Sequence, residues 1–152
     1  MGRVLITGMS GVGKSTVVEA LAARGITSID TDYGEWKTPD GVWDLDAVGA
    51  VVRGTENIVV AGTVDNQGLL YDVFDHVVLL TAPPSVMIDR VMARTTNPYG
   101  SSAAGREEIL AYSLSVDPLL RATATSVIDT TQPLGDTVDE VVRLLDTPRR
   151  FT

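Results

Sequence analysis

Short β-branched apolar runs alternate along the chain with longer stretches in which apolar residues return every three or four positions. Val4–Thr7, Ile26–Asp30, Ile58–Ala61, Val77–Thr81 and Val127–Asp129 have the pattern of strands. Between them, Ser15–Arg24, Asp44–Arg53, Ser85–Arg94, Arg106–Thr123 and Asp136–Leu145 carry the period of amphipathic helices. The order is a repeated strand-helix alternation. Because the strand runs are apolar nearly throughout, they predict a parallel sheet buried on both faces, with ligands beyond the carboxyl ends of the strands. Tyr33–Val42 and Thr95–Gly105 break the rhythm with Gly, Pro, Ser, Thr and aromatic residues. Loops of that length in a compact domain are often functional.

Composition narrows the class. With 152 residues, 44% of them hydrophobic, the chain predicts one domain (1–152) around one core. The absence of Cys excludes disulfides, thiol catalysis and cysteine metal sites. A net charge of −8 argues against nucleic-acid or anionic-membrane partners, so an anionic ligand must be held by local structure. The apolar run Val4-Leu5-Ile6 is too short for a signal-peptide core or a membrane span, and the expectation is a soluble, cytoplasmic chain, monomer or homodimer. The sole histidine, His76, precedes a strand and is expected to be structural.

Against this acidic background only two lysines occur, Lys14 and Lys37, and the first lies in a glycine-rich turn. Gly8-Met9-Ser10-Gly11-Val12-Gly13-Lys14-Ser15 satisfies G-x-x-x-x-G-K-[ST] between the first strand and the first helix, as that motif requires. Its glycines allow a tight turn whose N–H groups point inward at phosphate oxygens, with the helix N-terminus behind them. Gly8, Ser10, Gly11, Val12, Gly13, Lys14, Ser15 and Thr16 are therefore candidate nucleotide contacts. Lys14 would place a point charge on the β- and γ-phosphates, and Ser15 would ligate Mg²⁺. The cofactors expected are ATP and Mg²⁺.

The second strand ends in Asp30-Thr31-Asp32, which a parallel sheet would bring beside the phosphate loop. The i, i+2 spacing turns both carboxylates toward one side. One would hold Mg²⁺ and the other would orient and deprotonate an acceptor hydroxyl; spacing alone leaves the assignment open. With these residues in view, the chain resembles the shikimate kinase, gluconate kinase and nucleoside monophosphate kinase group of P-loop proteins. Gly8–Val17 is similar to the gluconate and shikimate kinase loop, and Asp30-Thr31-Asp32 to the Asp-x-Asp of shikimate kinases. The resemblance implies a three-layer α/β P-loop NTPase fold, a five-stranded parallel sheet ordered 2-3-1-4-5, and a short lid. It makes Asp30 the magnesium-side carboxylate and Asp32 the group that touches the acceptor.

Further candidates follow from the same resemblance. The lid would span about 95–105 and the acceptor-binding segment about 33–57. Arg90 would stack on adenine, Asn97 takes the place of the usual lid arginine, and Arg94 or Arg106 would neutralise the transferring phosphoryl group. Thr130 to Pro133 would offer backbone to the base edge. Trp36, together with Asp65, Asn66 and Gln67 at the end of the third strand, would meet the acceptor, while core packing competes for Trp43. The expected activity is transfer of the ATP γ-phosphate to a hydroxyl of a small molecule such as a polyol, sugar, nucleoside or natural product. A nucleoside monophosphate kinase, if Arg53 reaches the pocket, and a nucleotide-binding regulator or slow NTPase are the alternatives.

Overall fold

The computed structural model describes residues 2–9, 12–92, 107, 111 and 116–146. The candidates Ser10, Gly11, Arg94 and Arg106, with Asn97 and the expected lid, lie outside the described residues. Five parallel strands form one sheet: β1 (Arg3–Thr7), β2 (Ser28–Asp30), β3 (Ile58–Ala61), β4 (His76–Thr81) and β5 (Ser126–Asp129). Their order is β2-β3-β1-β4-β5, as expected, with Ile6 opposite both Ala61 and Val78. The described helices are α1 (Lys14–Ala23), α2 (Leu45–Arg53), α3 (Pro84–Met92), α4 (Asp117–Thr123) and α5 (Leu134–Leu145), with a 3-10 turn over Gln67–Val73.

Side chains of a strand alternate between faces, and here both faces are packed. Val4, Ile6, Val59, Ala61, Val78 and Leu80 meet Val17 and Leu21 of α1 and Val138 and Val141 of α5. On the other face Leu5, Ile58, Val60 and Val77 meet Trp43, Val48 and Val52 of the α2 layer and Leu70 and Phe74 of the 3-10 turn. Each fully buried aliphatic side chain contributes roughly 1.5–3 kcal/mol. The edge strands depart from the expected burial on both faces. The residues of β2 are half-buried, and Val127 in β5 is 46% exposed, because each edge strand has a neighbour on one side only.

Local chemistry moves several element ends. The strand expected from Ile26 starts at Ser28, since the Ile26 amide is used to close α1 on the Leu21 carbonyl at 3.1 Å. Gly25, at φ +82°, supplies the left-handed residue that this helix ending needs. At α2 the Asp44 carboxylate caps the helix by accepting from the Ala47 amide. Helix α5 begins two residues ahead of expectation because the Pro133 carbonyl accepts from Asp136 and Thr137. Of the long helix expected over Arg106–Thr123, Glu107, Ala111 and Asp117–Thr123 are helical, the rest lying outside the described residues. The 3-10 turn has no strong period and escaped the sequence pattern; Gln67 fixes its start by accepting from the Val64 amide.

Candidate active site

At the carboxyl end of β1 the chain turns through Gly8 and Gly13 into α1. Gly8 has no room for a side chain: a Cβ there would lie 2.5 Å from the Leu80 carbonyl oxygen and 2.9 Å from Val12 Cγ2. Gly13 sits at φ +100°, in the left-handed region that favours glycine, and no side chain caps the helix after it. A helix start without a side-chain cap is of the kind that suits an anionic ligand. Lys14 Nζ is folded back onto the Gly8 carbonyl and lies 3.2 Å from Thr63 Oγ1. Thr63, just past β3, also donates to the Gly8 carbonyl at 2.5 Å and accepts from the Gly8 amide at 3.1 Å. It ties the third strand to the loop, and sequence reasoning missed it because a lone Thr carries no motif.

Across the loop stands Arg90 of α3. Its Nη1 donates to the Val12 carbonyl at 3.1 Å and to Thr130 Oγ1 at 2.9 Å, and its Nη2 donates to the Thr130 carbonyl at 2.8 Å. Arg90 therefore joins the phosphate loop to the segment after β5. The three border a cleft of about 510 Å³, also lined by Thr16, Gln132 and Leu134. Of the residues expected at the base, Arg90 and Thr130 line this cleft, and Pro133 spends its carbonyl capping α5 instead. Below the cleft, the hydroxyl and then the amide of Thr131 hold the Asp129 carboxyl below its ordinary range. Desolvation opposes this, and the Arg90 charge reinforces it.

Of the paired aspartates, Asp30 is the one that touches the loop. Ser15 Oγ donates to Asp30 Oδ2 at 2.5 Å, and Asp30 Oδ1 accepts from the Asp32 amide at 3.0 Å. One carboxylate thus touches the loop serine with one oxygen and orients the next aspartate with the other. Hydroxyl and carboxylate oxygens are hard donors of the kind Mg²⁺ selects, so Ser15 and Asp30 fit that ion. Among the described residues no cluster of three or more His, Cys, Asp or Glu side chains stands ready to hold a metal. An ion here would depend on phosphate and water for its remaining ligands.

The Asp32 carboxylate has a different partner, its Oδ1 pairing with Lys37 Nζ at 2.8 Å. Residues 36–44 form a small antiparallel turn rather than a plain loop. Lys37 bridges to Trp43, the Thr38 amide donates to the Val42 carbonyl, and the Asp44 amide donates to the Trp36 carbonyl. Trp43 anchors it from the core, 1% exposed, its indole N–H on Thr31 Oγ1 at 3.0 Å. Asn66 clasps the Trp43 backbone, accepting from its amide and donating to its carbonyl. Gln67, 3% exposed, donates to Thr7 Oγ1 and the Tyr71 hydroxyl. The amides of Asn66 and Gln67 are thus spent within the protein, Asp65 is exposed, and Trp36 is half-buried against the core. His76 is buried at the start of β4. Arg53 lies at the far end of α2, its guanidinium over Gly49 and its carbonyl accepting from Arg3 at the amino end of the central strand β1.

Comparison with known proteins agrees with this architecture. A family model described as an AAA domain matches residues 4–111, from β1 through the phosphate loop and past α3. The chain belongs to this AAA domain family. No curated protein matches the sequence. Among solved structures, this AAA-domain chain has the fold of the shikimate kinase from Acinetobacter baumannii, in a complex with shikimate. The two are 19% identical over 95% of this chain and 93% of that one, with a TM-score of 0.66. A gluconokinase from Sinorhizobium meliloti 1021 is 23% identical over 95% of this chain and 91% of its own, with a TM-score of 0.57. A sugar kinase from Janibacter sp. HTCC2649 is 19% identical over 96% and 95%, with a TM-score of 0.61. The P-loop fold expected from the sequence is therefore shown. No helix among the described residues is long and apolar enough to cross a membrane.

Proposed function

We propose that the chain is a small-molecule kinase that moves the γ-phosphate of ATP to a hydroxyl acceptor. The observation that carries this reading is Asp30, which accepts from the loop serine at 2.5 Å and from the Asp32 amide at 3.0 Å, so that a second acidic residue is held next to the one that touches the phosphate loop. Nucleotide binding needs only the first carboxylate; the second is what an acceptor hydroxyl requires. The shikimate, gluconate and sugar kinases that share the fold support the same class.

In this mechanism the triphosphate lies along the loop from Gly8 to Thr16, with Ser10 and Gly11 contributing backbone amides, and the base enters the cleft of Arg90 and Thr130. Phosphate draws the Lys14 ammonium off the Gly8 carbonyl and onto the β- and γ-oxygens. Ser15 and Asp30 would hold Mg²⁺, which supplies charge neutralisation on the phosphates when bound. Asp32 accepts the proton of the acceptor hydroxyl as its oxygen bonds to the γ-phosphorus. The bond from that phosphorus to the bridging oxygen breaks, and ADP departs. Lys37 fixes one oxygen of Asp32 and leaves the other for the acceptor. Trp36 and Asp65 border the acceptor space, whereas Asn66 acts one step back by holding the turn that carries Lys37, and Gln67 by tying the segment after β3 to Thr7. Arg94 is proposed to neutralise the transferring phosphoryl group.

A neutral hydroxyl compound fits better than a nucleoside monophosphate, because Arg53 packs along α2 and Lys37 is already paired with Asp32. The test is ADP release measured over a panel of polyols, sugars, nucleosides and their monophosphates. Release stimulated at least about tenfold by one acceptor, and dependent on Mg²⁺, is the expected result. ATP bound tightly with no stimulated release by any acceptor would instead favour a nucleotide-binding regulator.

A further inference from the structure

The cleft between the phosphate loop and β5 has a one-sided hydrogen-bonding character. On its β5 side the donors are largely spent inside the protein. The Thr130 amide donates to the Thr81 carbonyl at 2.9 Å, and the Thr131 amide and hydroxyl both donate to Asp129 Oδ1, at 2.8 and 2.7 Å. The Arg90 guanidinium spans Val12 and Thr130. The Thr130 hydroxyl accepts from Arg90 and donates to the Thr81 carbonyl.

Gln132 extends this pattern to a side chain that lines the cleft. Its Nε2 carries two protons and faces two acceptors one turn apart on α5, Thr137 Oγ1 at 3.2 Å and Glu140 Oε1 at 3.3 Å. The two ends of a carboxamide look alike by shape, so the surrounding hydrogen bonds must decide its orientation. Here Glu140 decides it. An ionised carboxylate only accepts, so the amide nitrogen must face Glu140 and the carbonyl oxygen is the group left for a ligand. Any hydrogen bond that the Gln132 side chain makes into the cleft is then one that it accepts.

Adenine and guanine differ in the sign of the group on their six-membered ring edge. Adenine presents an exocyclic amine, a donor, where guanine presents a carbonyl. We propose that Gln132, its amide orientation fixed by Glu140, makes this cleft select adenine nucleotides over guanine nucleotides. This rests on the nucleotide role of the cleft put forward above. A guanine in the same place would set carbonyl against carbonyl with no proton between them, and sites of that kind discriminate strongly. Gln132 is a specificity-determining residue in this account, and Glu140 is a positioning residue that never touches the base.

The test is calorimetric titration of the whole chain with ATP and with GTP, each with Mg²⁺, for the unchanged protein, Gln132→Ala, Glu140→Gln and Glu140→Ala. The unchanged protein is expected to bind ATP at least about tenfold more tightly than GTP. Gln132→Ala lowers that ratio by weakening ATP alone. Glu140→Gln lets the Gln132 amide turn over and present its donors, so the ratio falls at least about threefold through a gain for GTP. Glu140→Ala, which frees the amide without adding a donor, gives a smaller fall and keeps the test open if Glu140→Gln folds poorly. Equal affinity of the unchanged protein for both nucleotides overturns the proposal and leaves the nucleotide site standing, as does a ratio that no variant moves. Binding of neither nucleotide overturns the nucleotide site itself.

Discussion

The two sides of the site are built in different ways. On the nucleotide side, contacts come from backbone held by glycines at Gly8 and Gly13 and by one arginine clamp, within a short contiguous loop and two strand ends. On the acceptor side, side chains scattered between Thr31 and Gln67 are organised around the buried Trp43. The difference teaches that the two proposed sides would meet their ligands by different means. A triphosphate is met by amides that any sequence supplies once glycine permits the turn. An acceptor must be met by side chains that a core residue holds in place.

The comparison predicts that substitutions on the acceptor side cost stability, while those on the nucleotide side cost binding. Trp43→Ala should give the largest loss, about 3–5 kcal/mol in chemical denaturation, from an emptied core site. It also leaves the Thr31 hydroxyl and the Lys37 turn without their anchor. An unfolding midpoint like that of the unchanged protein would break the contrast. Lys14→Met should weaken ATP by roughly a hundredfold in calorimetry and change stability by less than about 0.5 kcal/mol.

Gly62→Ala sharpens the contrast from the acceptor side. The added Cβ would lie 2.3 Å from Thr31 Oγ1 and 3.2 Å from Trp43 Cζ2, and a loss of about 1–3 kcal/mol in thermal melting is expected. The smallest effect belongs to Asp129→Asn. Because the folded carboxyl sits below its ordinary range, Asp129 adds stability that is present above its unfolded pKa and fades as pH falls through the lower folded value. The difference between Asp129→Asn and the unchanged protein should therefore be measurable near neutral pH by denaturant titration and vanish in strong acid.

The same contrast governs what could be read from residues alone. The parallel sheet and the phosphate loop were legible from pattern and motif, whereas the strand order and the choice of Asp30 for the loop side came from the resemblance. Arg90 was placed by resemblance as the arginine that stacks on adenine, and its contact with Thr130 had no signal in the sequence. Thr63, Lys37 and the inward-turned Asn66 and Gln67 were not legible in their roles. Their partners lie far along the chain or across a short irregular turn, where neither periodicity nor spacing constrains a side chain. Ile26 was read as strand because an apolar β-branched residue fits both a strand and a helix ending, and Gly25 decided for the latter.

The central claim is that Asp32 directs the γ-phosphate to a hydroxyl. It is tested most directly by following γ-labelled ATP with the best acceptor of the panel, for the unchanged protein and Asp32→Asn. The account predicts label on the acceptor, a transfer rate lowered about 10²–10⁴-fold by Asp32→Asn, and ATP affinity held within about threefold. Label recovered only as inorganic phosphate, or transfer at an unchanged rate in Asp32→Asn, would contradict it.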